Sequence, residues 1–179
     1  MKYTLLFLLL TLSSLSRANE TILISSEKSD FSTSAVYGTW LDQTMGNLQI
    51  TKGPAGAEIS GYATTRGGIN KTQNLKVSDG DTLNLELSPH AGNKAHALNI
   101  LLEDGNGAQV GWRFDISKLP LDKSTLLVAI NLSNPDFVNK PGSKGKFDLQ
   151  NITGWHLQGD FSSDDPVKVS ITKLSISSK

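Results

Sequence analysis

The chain has 179 residues, no cysteine, and 17 basic against 17 acidic side chains. That length fits one domain of ordinary size, and the lack of cysteine excludes a disulfide framework, a thiolate zinc site, an iron–sulfur cluster and a thiol nucleophile. Balanced charge leaves no electrostatic footprint for DNA or RNA, so nucleic acid is not an expected partner.

Met1 to Ala18 reads as a secretory signal peptide. Lys2 supplies a positive start, Tyr3 to Leu12 is almost unbroken apolar sequence, and Ser16-Arg17-Ala18 is a small-x-small cleavage site. The apolar run is short for a bilayer core of roughly 30 Å, and no later segment is apolar enough to span. The expected mature product is one exported domain, residues 19–179, secreted, periplasmic or held at the cell surface. Loss of Lys2 and Arg17 leaves it weakly acidic, about −2 by charge counting. Without disulfides an exported domain depends on its core, and about 160 residues suffice to bury one.

The mature sequence alternates with period 2 between turn residues and shows no long helical stripe. Predicted strands are Thr21–Ser25, Leu48–Lys52, Ala57–Thr65, Thr82–Ser88, Ala95–Glu103, Ala108–Ile116, Ser124–Asn131, Ile152–Phe161 and Val167–Ser177. Asp104-Gly105-Asn106-Gly107 is expected to be a hairpin turn and not a calcium loop, because the later Glu ligand is missing. A short helix or turn is expected at 116–119 and 134–138, where Pro120 and Pro135 intervene. In the last strand the apolar phase changes near Lys173, which predicts a β-bulge. About nine strands with short loops give an all-β fold, an antiparallel β-sandwich or jelly roll.

Alternation also assigns faces. Trp112, Phe114 and Ile116 share one face, as do Trp155, Leu157 and Phe161, and large apolar side chains in phase are expected in the core. Arg113, Asp115, His156, Gln158 and Asp160 then point outward, and by the same phase Asn99 and Glu103 on one neighbouring strand and Tyr62, Thr64 and Arg66 on another. Trp40, beside Tyr37 and Gly38, is the expected exposed aromatic. His90, His96 and His156 have no metal-ligand spacing, and neither a Gly-x-Ser-x-Gly elbow nor a phosphate loop is present.

Gly-Trp-Arg-Phe-Asp-Ile at 111–116, Asn-Pro-Asp-Phe-Val-Asn at 134–139, Phe-Asp-Leu-Gln-Asn-Ile at 147–152, Gly-Trp-His-Leu-Gln-Gly-Asp-Phe at 154–161 and the closing strand at 167–176 follow one another in order. Together they resemble the galactose-binding-like jelly rolls of bacterial carbohydrate-binding modules and small exported bacterial proteins of that architecture. The resemblance implies non-catalytic binding of a polysaccharide or glycan on a concave sheet face, with Trp40, Tyr62, Asn99, Arg113, His156 and Gln158 as the candidate ligand-binding residues. Many such modules hold a structural calcium through an acidic residue in the final strand. Here Ser170, Thr172 and Ser175 stand at such positions, so no cofactor is expected. Two alternatives remain open: a β-sandwich polysaccharide lyase using Arg113, Gln158, His156 and Tyr62, and a matrix protein without a dedicated ligand.

Overall fold

The computed structural model describes residues 19–25, 35–37, 49–53, 56–62, 66–121, 126–142, 146–161 and 164–179. The signal-peptide reading of residues 1–18 and the candidates Trp40 and Thr64 lie outside them.

Twelve strands are described: β1 (Glu20–Ser25), β2 (Ala35–Tyr37), β3 (Gln49–Gly53), β4 (Gly56–Gly61), β5 (Arg66–Leu75), β6 (Thr82–Pro89), β7 (Ala97–Asp104), β8 (Gln109–Asp115), β9 (Leu126–Asn131), β10 (Phe137–Lys140), β11 (Ile152–Asp160) and β12 (Val167–Ser177). Among the described residues a 3-10 turn, Leu149–Asn151, precedes β11. The fold is all-β, with every described strand pair antiparallel. One sheet runs β3-β4-β12-β6-β9 with β1 also on β12, and the second runs β10-β8-β7-β11-β5-β2.

The two inner faces supply the core. Leu83, Leu85 and Leu87 of β6 and Val167, Val169 and Ile171 of β12 are buried with Leu98, Ile100, Trp112, Phe114, Trp155, Leu157 and Phe161 of the second sheet and its margin. Both tryptophans are thus core residues, as their phase predicts. Each also finds a partner for its indole N–H: Trp112 donates to the Asn134 carbonyl (3.1 Å) and Trp155 to Gln73 Oε1 (3.2 Å). The bulge expected in the final strand is present, with the β12–β6 register shifting between Ile171 and Lys173. This lets Leu174 and Ile176 face inward on the opposite parity from Val167 to Ile171.

The structure departs from the expected elements in three places. The predicted strand Ala57–Thr65 stops early: β4 ends at Gly61, whose φ of +99° breaks the extended run, and the chain then crosses to the other sheet as β5. Strand β5, Arg-Gly-Gly-Ile-Asn-Lys-Thr-Gln-Asn-Leu, lacks clear alternation and was not expected. Its Gly68 lies so close to β11 that a Cβ would meet the backbone of Leu157 and Gln158. At 134–138 the chain bends at Asn134 and Asp136, and only Phe137 and Val138 depart from the expected helix or turn by opening the edge strand β10. Asp136 donates its N–H to the Gly111 carbonyl (2.9 Å) and accepts the Arg113 N–H (2.7 Å), drawing the segment alongside β8.

The β7–β8 hairpin turn is organised by Asp104, a buried carboxylate. It accepts the N–H groups of Asn106 (2.8 Å), Ala108 (2.9 Å) and, from the approach to β11, Asp148 (3.0 Å). Gly107 supplies the positive φ, +75°. The turn is therefore the hairpin that its sequence suggests.

Candidate functional site

Registers across the second sheet bring distant residues into one row. Asn99 pairs with Arg113, Gln158 with Asn99, and Gly68 with Gln158. Adjacent strands lie about 4.8 Å apart, so Arg113 and Gln158 are roughly 10 Å from one another across the row. These positions alternate with core residues and so belong to the outer face.

Asn99, Arg113 and Gln158 line one cleft of about 270 Å³ with Phe137, Asn139 and Asp160. Gln158 lies low in it, only 6% exposed. The guanidinium of Arg113 makes no hydrogen bond or ion pair with described residues. Asn99 Oδ1 is buried and has no hydrogen-bond partner among them. A buried acceptor without a partner is uncommon in a folded protein, because its desolvation is uncompensated. Here the orphan acceptor and the unpaired cation line the same cleft.

The aromatic wall is Phe137 of β10. It pairs in register with Gly111, and a Cβ at Gly111 would collide with the Phe137 ring. The glycine thus lets the ring settle on the sheet. Leu101, between Gly111 and His156 in register, is 1% exposed although it belongs to the outer face and not to the core cluster. Further along the same face, Asn139 donates to Gln109 (2.8 Å) and Gln109 to Glu103 (2.6 Å), whose carboxylate is 3.3 Å from His156 Nε2.

The structure therefore gathers Asn99, Arg113 and Gln158 in one cleft and sets His156 two residues along the same strand from Gln158. Tyr62 follows β4 of the opposite sheet and does not line the cleft. Its expected place on a strand sharing the outward face of Arg113 is corrected, because β4 pairs with β3 and β12 in the opposite sheet. Arg66 enters β5 opposite Asp160. Phe137 and Asn139 were not singled out as ligand-binding residues; the signal for them is Gly111, a glycine inside a strand, which marks close approach by another group.

Among the described residues no group of three or more His, Asp or Glu is placed to hold a metal ion. Glu20, the described acidic residue nearest the amino end, is engaged by Lys173 and Ser175. No helix of the described residues is long and apolar enough to cross a membrane.

Comparison with solved structures defines the class by fold: the chain has the β-sandwich of carbohydrate-binding modules. It superposes on the family 11 carbohydrate-binding module of a cellulosomal cellulase of Clostridium thermocellum with a TM-score of 0.58 at 17% identity, covering 90% of this chain and 95% of that one. The xylan-binding module CBM15 gives 0.56 at 11% identity, with 89% and 96% covered. An agarase, AgWH50C, gives 0.58 at 13% identity, with 89% of this chain matching 24% of the enzyme. No protein-family model and no curated protein sequence matches the chain.

Proposed function

We propose that the protein is an exported, non-catalytic carbohydrate-binding protein that holds a polysaccharide in the cleft of the second sheet. The observation that carries this reading is the row Arg113–Asn99–Gln158, with an unpaired guanidinium and an orphan buried acceptor beside the Phe137 ring. Sugar hydroxyls both donate and accept. One donates to Asn99 Oδ1, and others accept from Arg113 and from the Gln158 amide. The apolar face of a pyranose rests against Phe137. Export is supported by the amino-terminal segment Met1 to Ala18. The fold neighbours support the ligand class: one is a xylan-binding module and another is a family 11 module in complex with a β-1,3-1,4-mixed-linked tetrasaccharide.

Affinity electrophoresis through gels containing xylan, mixed-linkage β-glucan, agarose or pectin tests the reading. Retardation in at least one gel is expected, weakened in an Arg113→Ala/His156→Ala double variant and in Arg113→Ala/Gln158→Ala. Retardation unchanged in both variants removes the cleft from the binding mode. Free migration in every gel rejects carbohydrate binding by this face for these polymer classes.

A further inference from the structure

The cleft does not stop at the sheet. A recess of about 110 Å³ shares Asn99, Arg113 and Asp160 with it and adds His96, Ala97 and Asp165. Past His96 and Asp165 a third hollow, of about 410 Å³, opens at the loop end of the sandwich. The path follows β7 and β8 lengthwise and runs off their ends. The large hydrophobic side chains that stand exposed among the described residues, Val138 (65%) and Leu121 (51%), lie at its two extremities.

The end hollow differs in chemistry from the cleft. Ala95, Ile116, Leu119 and Leu121 line it, and among the described residues no Phe, Tyr or Trp does; Lys94 and His96 also line it, and His96 Nε2 lies 3.6 Å from the Asp165 carboxylate. It offers no plate for a sugar ring. It does offer aliphatic surface for a methyl group next to donors for a carbonyl oxygen, the two halves of an acyl substituent.

The wall formed by Asn93 to His96 and Ile116 is already tied in place. Lys94 and Ala95 donate their N–H groups to the Pro166 carbonyl (2.8 and 3.2 Å), and Ile116 donates to the His96 carbonyl (2.8 Å). Asn93 accepts the Lys168 N–H (2.9 Å) while donating to the Ala95 carbonyl (3.2 Å). Walls tied in this way lose little freedom when a ligand enters.

From these features we infer that the end hollow is a subsite for an acyl-substituted sugar residue, O-acetylated or N-acetylated, adjoining the residues held in the cleft. This inference rests on the carbohydrate-binding reading of the cleft. The methyl group packs against Leu119 and Leu121, and the acyl oxygen accepts from the side chain of Lys94 or His96.

Calorimetric titration with two matched pairs tests it: O-acetylated xylo-oligosaccharides against the same material after alkaline deacetylation, and chitohexaose against cellohexaose. The acetylated member of at least one pair is expected to bind about fourfold tighter, the effect of burying one methyl-sized group. Which pair shows the difference separates an ester from an amide source. Leu121→Ser should abolish the preference and leave the affinity for the unacetylated member unchanged, whereas Arg113→Ala should weaken both members alike. Equal affinity within both pairs, or a preference that survives Leu121→Ser, overturns the acyl subsite and leaves the cleft reading standing. Absence of binding to all four probes also overturns the subsite, while the cleft reading is decided separately by the polysaccharide gels.

Discussion

The two sheets turn unlike outer faces to solvent. On the sheet built around β12, polar side chains are bonded to one another or to the backbone. Lys173 and Ser175 hold the Glu20 carboxylate at 2.8 and 2.7 Å, Asn84 donates to Ser177 (2.9 Å), Thr172 donates to the Glu86 carbonyl (3.2 Å), and His90 and Ser170 are 2.6 Å apart. On the second sheet the end near Glu103 is bonded in the same way, through Gln109 and His156. Asn99 Oδ1 and the Arg113 guanidinium, by contrast, have no partner among the described residues. Polarity alone therefore does not distinguish a binding face from a solvated one. The difference lies in whether donors and acceptors already have partners.

The largest expected effect comes from a polar group that is fully engaged. Asp104→Ala leaves three backbone N–H groups without their acceptor and should lower stability by about 3 kcal/mol, read from urea melts, with retention on polysaccharide unchanged. Burial pushes the Asp104 carboxyl up, but the N–H groups of Asp148, Ala108 and Asn106 outweigh it and hold the group below its usual range. Its contribution is therefore complete above the unfolded value, about 3.9, and is lost as pH falls through the lower folded value. Stability of the parent protein should decline below about pH 4, and Asp104→Asn should flatten that decline.

In the open region the signs reverse. Arg113→Ala should weaken binding by about 2 kcal/mol, roughly thirtyfold, while moving stability by less than about 0.5 kcal/mol. Asn99→Leu carries the sharper signature. It removes the unpaired acceptor, so it should stabilise the free protein by about 1 kcal/mol while weakening binding about tenfold. Paired melting curves and titrations separate the outcomes. A variant that loses stability and keeps affinity would place Asn99 with the engaged groups and break the comparison.

Much of this contrast is legible in the sequence, and the rest is not for definite reasons. Trp112, Phe114, Trp155 and Phe161 alternate with polar residues, so their burial follows from the strand period, as does the bulge near Lys173. Asn99, Arg113 and Gln158 are assigned outward by the same rule. That they form one row is set by inter-strand register, which links residues 99, 113 and 158 across long stretches of chain. Tyr62 is misplaced because a positive φ at Gly61 ends a run that composition alone would continue. Phe137 is hidden because β10 is four residues long and acquires its strand character from Asp136 and Gly111, not from its own pattern.

Phe137 gives the next test. Phe137→Ala removes the aromatic wall and should reduce binding by about 1 kcal/mol, roughly fivefold, with Phe137→Tyr restoring most of it. Gly111→Ala should reproduce the loss without touching the ring's chemistry, since the added methyl group displaces Phe137. If Gly111→Ala lowers stability and leaves binding intact, the ring is a packing element of the edge strand and the open face is narrower than the cleft suggests.

The smallest effect belongs to the bonded face. The Lys173 ammonium, aided by the Ser175 hydroxyl and opposed by burial, holds the Glu20 carboxyl below its usual range. The pair is about one-third exposed, so solvent screening limits its contribution to about 0.5 kcal/mol. That contribution is present above the unfolded value, about 4.3, and is lost as pH falls through the folded value. Glu20→Gln should therefore cost little at neutral pH, lose even that difference in high salt, and leave affinity for every polysaccharide unchanged. The ion pair lies on β1 and β12, on the sheet away from the cleft. A measurable loss of binding in Glu20→Gln would mean that the bonded face also meets the ligand, and partner satisfaction would no longer separate the two faces.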